Sequence, residues 1–386
     1  MQADIAIVGA GLVGASLARA LAASGMNLAL VEASPPPERA GAWDERIYAL
    51  SPASASFLES LGIWGALDAA RLCPVHKMRI YGDNGRSRLE FSAYEAGLTA
   101  LAWIVESGEV QRALWRALEN QSNLKLLVPA RPVALDIGER FASLTTDTGA
   151  VLSARLLVGA DGAASWLRQA GGFRSTSRPY GQRAVVANFS CEIPHRSVAL
   201  QWFRSDGVLA YLPLPGNCVS MVWSTADAHA TELLELSPTD FARRVAEAGR
   251  DQLGKLELIT PPAGFPLARL SVDSMLRPRL ALIGDAAHVV HPLAGQGVNL
   301  GFGDARSLAA TLAARRPGSD PGERLLLRRF ERSRAEDILA MRIVTDGLQR
   351  LFGARGPWLA WLRNFGLNLT DAAPVIKALL TRRATA

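Results

Sequence analysis

Three short runs of the chain carry residue types and spacings suited to chemistry, and the first is Gly9-Ala10-Gly11-Leu12-Val13-Gly14. It follows the apolar run Asp4-Ile5-Ala6-Ile7-Val8 without a gap and opens a segment of helical spacing. Glu32 follows close to the offset of about 20 residues at which a ribose-binding acid is expected. In such a pattern Gly9 makes a tight turn, Gly11 lets backbone N–H groups approach a pyrophosphate, and Gly14 lets the helix pack close to the strand. The helix N-terminus then turns its positive end toward two phosphates. A carboxylate at Glu32 accepts hydrogen bonds from adenosine ribose hydroxyls and repels a 2′-phosphate, so the pattern favours FAD or NAD over NADP at this site. Other reactive residue types are sparse. Cys73, Cys191 and Cys218 are odd in number and far apart, which fits neither a disulfide framework nor a zinc cluster. His288 and His291 have no metal-ligand spacing and read as packing or backbone-bonding residues, and no metal site is expected.

The second run is Val158-Gly159-Ala160-Asp161-Gly162, leading on to Ser165 and Arg168. The third is Gly284-Asp285-Ala286-Ala287-His288, followed by Pro292-Leu293-Ala294-Gly295-Gln296-Gly297-Val298-Asn299-Leu300-Gly301. Both are apolar strands that end in Gly and Asp just before a helix. A strand that delivers Asp285 can place a carboxylate on a polyol hydroxyl. Gly295 and Gly297, at the start of a long helix, can let N–H groups and the helix dipole stabilise negative charge on a flat heteroaromatic ring. Three motifs in this order, over nearly the whole chain, resemble the class A flavoprotein monooxygenases, the aromatic ring hydroxylases. Within that family, Trp43-Asp44-Glu45-Arg46-Ile47-Tyr48-Ala49-Leu50-Ser51 and the segment 292–301 are most similar to the ubiquinone-biosynthesis hydroxylases.

The resemblance implies FAD as cofactor, NADPH or NADH as a transient electron donor, and O2 as co-substrate. The nicotinamide donor would reduce FAD, O2 would add to the reduced ring as a C4a-hydroperoxide, and a bound polyprenylated phenol or quinol would take up the distal oxygen. By the same resemblance Asp285 holds the ribityl hydroxyls, Asp161 belongs to a motif serving FAD and nicotinamide, and Arg46 lies beside the flavin. The Pro292 carbonyl falls near the oxygen-reacting face, with the backbone of Gly295, Gly297, Val298 and Asn299 around the pyrimidine edge. Pro292 and Arg46 are therefore the candidate catalytic positions. The chain departs from many relatives at Ser107 and Gly108, where those carry Arg, Asn or Gln, so a polar contact to FAD there passes to Gln111 or Arg112. Two other readings stay open: a flavin-dependent reductase of prenyl double bonds, and a non-catalytic flavin- or lipid-binding scaffold of a quinone-synthesis assembly.

The elements that must position these residues begin with a βαβ unit over the first 32 residues. β-rich runs at 184–192, 197–204, 207–213 and 219–225, joined by short connections, predict an antiparallel meander followed by a helix over 238–249. Trp202, Phe203, Tyr211 and Trp223 on that meander could form an apolar wall for the substrate, although alternate strand residues face opposite sides and only some can line one pocket. The expected architecture is α/β. A Rossmann-like FAD-binding domain of the GR2 type (1–75, 100–180 and 265–322) is interrupted by a mixed to antiparallel β-sheet substrate domain (76–99 and 181–264) and closed by a C-terminal helical region (323–386).

Composition narrows the class further. The 386 residues are 49% apolar and 20% charged, with 34 Gly and 21 Pro scattered without a period, which excludes disorder, collagen-like and solenoid architectures as the main theme. No stretch approaches the roughly 18 uncharged apolar residues of a membrane span, and the N-terminus lacks the basic region of a signal peptide. The net charge of +6 is concentrated at one end, since residues 315–386 carry 14 Lys and Arg against 7 Asp and Glu. This basic region lacks an aromatic-basic RNA motif, and no nucleic-acid partner is expected. With Trp358 and Trp361 it reads as a solvated helix face, or as a surface for anionic lipid or an acidic partner in a quinone-synthesis complex. The expected location is cytoplasmic, peripheral at the inner membrane, with self-association left open. Replacing Asp285→Ala is expected to strip FAD from the purified protein; a variant that keeps stoichiometric FAD removes the basis of the flavin assignment.

Overall fold

The computed structural model describes residues 1–36, 41, 43–83, 87–290 and 297–353. The strand Gln2–Val8 is buried on both sides, with Ile5, Ala6 and Ile7 fully enclosed, as the interior of a parallel sheet requires. It pairs in parallel with Leu28–Val31 on one side and Val151–Gly159 on the other. Leu124–Leu127 extends the sheet beyond Leu28–Val31, and Leu280–Leu282 extends it beyond Val151–Gly159, both again parallel. Register follows from this pairing: Val8 lies beside Gly159, and Gly159 beside Leu282. The three glycine-bearing turns therefore emerge together at the carboxyl edge of one sheet, the edge where open α/β sheets bind ligands. An antiparallel hairpin, Pro132–Ile137 with Ala142–Thr146, and the short strand Leu276–Arg277 complete this eight-stranded sheet.

A nine-stranded sheet stands against that edge. Its spine is the 17-residue strand Ser175–Cys191, which pairs antiparallel with Cys218–Ala226 on one side and Ala263–Val272 on the other. Gly207–Leu214 and Val198–Arg204 continue the meander, and Lys77–Tyr81 and Arg88–Ser92 finish that side. The sheet is longer than the expected limits at 181 and 264. Residues 175–180 and 265–272 belong to it rather than to the FAD-binding part, because the spine and Ala263–Val272 stay paired across a register shift between Pro179 and Gln182, where Gly181 takes a φ of +65°. A three-stranded sheet of Ile47–Leu50, Ala102–Glu106 and Cys73–Val75 lies beside the other two.

The nine-stranded sheet divides its side chains by the two-residue period. On one face Phe189, Trp202, Tyr211 and Trp223 pack with Phe241 and Val245 of the helix Pro238–Ala248. Trp202 stacks on Tyr81 at 5.5 Å and meets Tyr211 edge-on at 4.9 Å, and the Tyr211 hydroxyl donates to the Val245 carbonyl at 2.5 Å. Trp202, Tyr211 and Trp223 thus form the core beneath the helices, and the expectation that they line the substrate pocket is corrected. The strands send their smaller residues to the other face.

The helix Arg324–Gly353 packs on Gly297–Ala313, burying Leu327 and Phe330. Trp358, Trp361 and the rest of 354–386 lie outside the described residues, as do Pro292, Gly295 and His291. Among the described residues no helix is long and apolar enough to cross a membrane, and no group of His, Cys, Asp and Glu is placed to hold a metal ion.

Candidate functional site

The site begins at the first glycine turn. Gly9 has a φ of +96°, and a side-chain carbon there would stand 2.5 Å from the Ala160 carbonyl oxygen, so the first and second motifs touch through their backbones. At Gly14 a side-chain carbon would stand 1.9 Å from the Gly9 oxygen, which makes this glycine the condition for helix and turn to meet. Gly11 differs from both. Nothing lies within 4 Å of where its side chain would be, and it caps the helix Leu12–Ala20 without a side-chain hydrogen bond. The helix N-terminus is left open toward a cavity, which is the space and polarity a pyrophosphate needs. Glu32 accepts from the Ala10 N–H through Oε2 at 2.7 Å, and from the Ala33 and Ser34 N–H groups through Oε1 at 2.7 and 3.2 Å. A carboxylate has about four acceptor positions, so Glu32 is oriented by the turn and keeps capacity for a ribose hydroxyl.

The middle motif is engaged internally. Asp161 accepts from the Ser165 hydroxyl at 2.5 Å and from the Leu167 N–H at 3.0 Å, and Ser165 caps the helix Trp166–Ala170 by accepting from the Arg168 N–H. The buried Arg168 donates to the carbonyls of Ala286 at 3.0 Å and Ala163 at 2.7 Å. Burial lowers its pKa, against the opposing pull of Asp161. The resemblance made Asp161 a cofactor residue; in the structure its carboxylate shapes the turn from which Arg168 holds the backbone of the third motif.

That third motif turns at Gly284, with a φ of +59°, and presents Asp285 to the cavity. Asp285 is solvent-accessible yet enclosed by the cavity walls. This desolvation raises its carboxyl pKa, the positive charges of His288 and Arg46 oppose the rise, and Asp304 adds to it. Behind the turn, the fully buried Asp304 accepts from the Gly284 N–H at 2.9 Å, from His288 Nε2 at 2.7 Å and from Arg334 Nε at 2.8 Å. Burial disfavours charge on Asp304, but His288 and Arg334 win and hold its pKa below the usual range. Burial likewise lowers the pKa of His288, and Asp304 more than reverses this. His288 is therefore held by a buried hydrogen bond to the Asp304 carboxylate, which corrects its reading as a packing or backbone-bonding residue. Arg334 went unrecognised in the sequence. The available signal was Asp304 itself, an acid in the middle of apolar helical text, next to Gly303, whose missing side chain makes room for the guanidinium.

The wall opposite this turn carries Arg46. Asp44 accepts from the Arg46 N–H at 2.9 Å and from the Gly108 N–H at 2.8 Å, and Glu106 takes the Asp44 N–H at 2.6 Å together with both contacts from Arg71. A side chain at position 108 would crowd Asp44 at 3.0 Å, so the Ser107-Gly108 departure lets Asp44 supply the negative charge that the N-terminus of helix Ser107–Glu119 favours. Arg46 lies over the Phe265 ring at 5.5 Å and lines the cavity, as does Gln111. Arg112 is bonded to Glu109 at 2.8 Å. Burial and Asp285 raise the pKa of Tyr48 on the same wall, with Arg46 opposing. Gly297 and Val298 also line the cavity. The Asn299 side chain instead clamps the backbone, accepting from the Ser51 N–H at 3.0 Å and donating to the Ala49 carbonyl at 2.9 Å.

These walls enclose a cavity of about 540 Å³, within the size range of small-molecule and cofactor sites. Gly11, Arg46, Asp285 and Gly297 stand on one side, and Ala184, Val186, Gln201, Ala210 and Ser220 of the nine-stranded sheet on the other. Small side chains on the sheet create the room, and a glycine cradle faces it. Glycines and donors of this kind fit FAD: an open helix N-terminus for phosphate, an oriented acid for ribose, and Asp285 for a polyol chain.

Comparison with known proteins agrees with this geometry. The FAD binding domain family matches residues 2–341. The chain is 36% identical over 379 residues to 3-demethoxyubiquinol 3-hydroxylase of Escherichia coli (strain K12), covering 97% of this chain and 96% of that protein. It is 34% identical to ubiquinone hydroxylase UbiL of Rhodospirillum rubrum, covering 99% and 89% respectively. Among solved structures, the probable FAD-dependent monooxygenase PqsL of Pseudomonas aeruginosa superimposes with a TM-score of 0.79 at 24% identity, covering 95% of this chain and all of that one, a likeness of fold.

The second and third glycines of the first motif separate folding from binding. Gly14→Ala forces a methyl group against the Gly9 carbonyl and is expected to lower the stability of the cofactor-free protein by about 1–3 kcal/mol in urea denaturation. Gly11→Ala meets open space, so the cofactor-free protein should unfold at the unaltered urea concentration while its FAD occupancy falls.

Proposed function

The chain belongs to the FAD binding domain family, and from that premise we propose that it is an FAD-dependent monooxygenase of ubiquinone biosynthesis, hydroxylating the ring of a polyprenylated phenol or quinol. The observation that carries the reading is one cavity with two unlike walls, a glycine-rich one for the cofactor and a largely small-residue sheet for a ring. Gly9, Gly11, Gly14 and Glu32 would hold the adenosine diphosphate half of FAD, and Arg46, Asp285, Gly297 and Val298 the flavin half. Bound there, FAD supplies the redox and oxygen-transfer chemistry, with electrons from NADH or NADPH and oxygen from O2.

The chain's own residues bind, orient and exclude water. Asp285 is fixed from behind by the Gly284 contact to Asp304, so its carboxyl meets polyol hydroxyls without reorganising. Arg46 adds a positive charge above the Phe265 ring. The sheet wall is apolar except for Gln201, Ser220 and Ser224, and none of its described lining residues is charged. Such a surface favours a neutral ring over a carboxylated one and keeps bulk water from the reacting centre.

The two relatives described above are named 3-demethoxyubiquinol 3-hydroxylase and ubiquinone hydroxylase, which supports a prenylated aromatic substrate here. A polyprenyl chain resides in a bilayer, and the net positive charge of 315–386 supports peripheral contact with an anionic membrane surface or with an acidic member of a quinone-synthesis complex. Purified, FAD-loaded protein is expected to consume NADH or NADPH and O2 faster in the presence of 2-geranylphenol and to release the ring-hydroxylated product. Deletion of the gene should leave a quinone precursor lacking one ring oxygen. Reduction of a prenyl double bond, or flavin that neither nicotinamide reduces, contradicts the reading.

A further inference from the structure

The sheet wall has one polar side chain whose burial the fold does not account for. Gln201 sits in the strand Val198–Arg204, whose next residue, Trp202, turns to the helix-packed face, while Gln201 lines the cavity. It is 4% exposed, and its Oε1 has no hydrogen-bond partner. Its neighbours across the sheet are Ala210, then Val222, then Val186, none of which has a side chain able to bond an amide. A long amide at the centre of an apolar strand is disfavoured by burial, and more than nine in ten buried polar groups find a partner. Other unpaired polar atoms differ in setting. Trp202 Nε1 and Trp223 Nε1 belong to the core under the helices, and Asn188 uses its amide nitrogen on the Asp44 carbonyl. Gln201 alone among these lines the cavity.

We propose that Gln201 recognises the ring hydroxyl of the substrate. This rests on the monooxygenase reading above and names the group that gives it selectivity. An amide offers both a donor and an acceptor, and a phenolic hydroxyl is likewise both, so the two can satisfy each other inside a wall whose other lining side chains are apolar, apart from the hydroxyls of Ser220 and Ser224. A ring without the hydroxyl leaves the amide buried and unpaired, and a site built around such a group rejects the analogue that lacks its partner. The bond also sets which ring edge points toward the cofactor wall.

The test uses FAD-loaded protein titrated with 2-geranylphenol and with geranylbenzene, which lacks the hydroxyl, following the absorbance of the bound flavin. The unaltered protein should prefer the phenol by about tenfold or more. In Gln201→Leu that preference should collapse toward one, while FAD content stays stoichiometric and the melting temperature of the ligand-free protein is unchanged or higher, because a buried unpaired polar group has been removed. A variant that keeps the full preference overturns the proposal. So does one that loses both FAD and melting temperature, since the amide would then be holding the sheet together. Unaltered protein that binds neither probe overturns the monooxygenase reading, and this proposal with it.

Discussion

A carboxylate with no solvent exposure holds the site in place. Asp304 accepts hydrogen bonds from the Gly284 backbone, from His288 and from Arg334, and these lie on the turn that presents Asp285, at the start of the segment behind it, and on the helix Arg324–Gly353. Removing one partner of such a buried ionic cluster costs about 3–5 kcal/mol, because the remaining charges are left without compensation. The position of Asp285 therefore depends on a helix pair, of which Gly297–Ala313 reaches the cavity only at its first residues and Arg334 of the second helix is not among the lining residues. Arg168 secures the same turn from the other side through the Ala286 carbonyl.

With that turn anchored, the rest of the site follows from strand register. Val8, Gly159 and Leu282 end level with one another, so three loops from distant parts of the chain converge without long excursions. The close contacts at Gly9 and Gly14 admit no side chain, and the open space at Gly11 is what remains for a ligand. The nine-stranded sheet supplies the facing wall. Its period of two residues sends Phe189, Trp202, Tyr211 and Trp223 to the helices and mostly smaller residues to the cavity, so one set of strands builds both a hydrophobic core and an emptied surface.

Much of this was legible in the residues alone. The glycine spacing, Glu32 and the two strands that end in Gly and Asp were visible because backbone approach and local turns impose residue types at short range. The meander was legible for the same reason. Its facing was not: alternation shows that Trp202 and Gln201 point apart, but which of them meets the helices is decided by Phe241 and Val245, some 40 residues further on. Asp304 and Arg334 are 30 residues apart on separate helices, and no local pattern links them. Asp161 matched a motif, yet its oxygens serve Ser165 and Leu167, a use visible only once the turn has its shape. The long strand Ser175–Cys191 passed the expected boundary because Gly181 carries the pairing through a register shift, which a compositional boundary does not reveal.

The central claim is that this one cavity brings a flavin and a phenolic ring together so that an atom of O2 ends on the ring. Isotopically labelled O2 tests it most directly. FAD-loaded protein supplied with NADH or NADPH, 2-geranylphenol and labelled O2 in unlabelled water is expected to give a hydroxylated product carrying the label in its new ring hydroxyl. A new hydroxyl that carries oxygen from water, or labelled O2 that appears only as hydrogen peroxide with the phenol unchanged, contradicts the account.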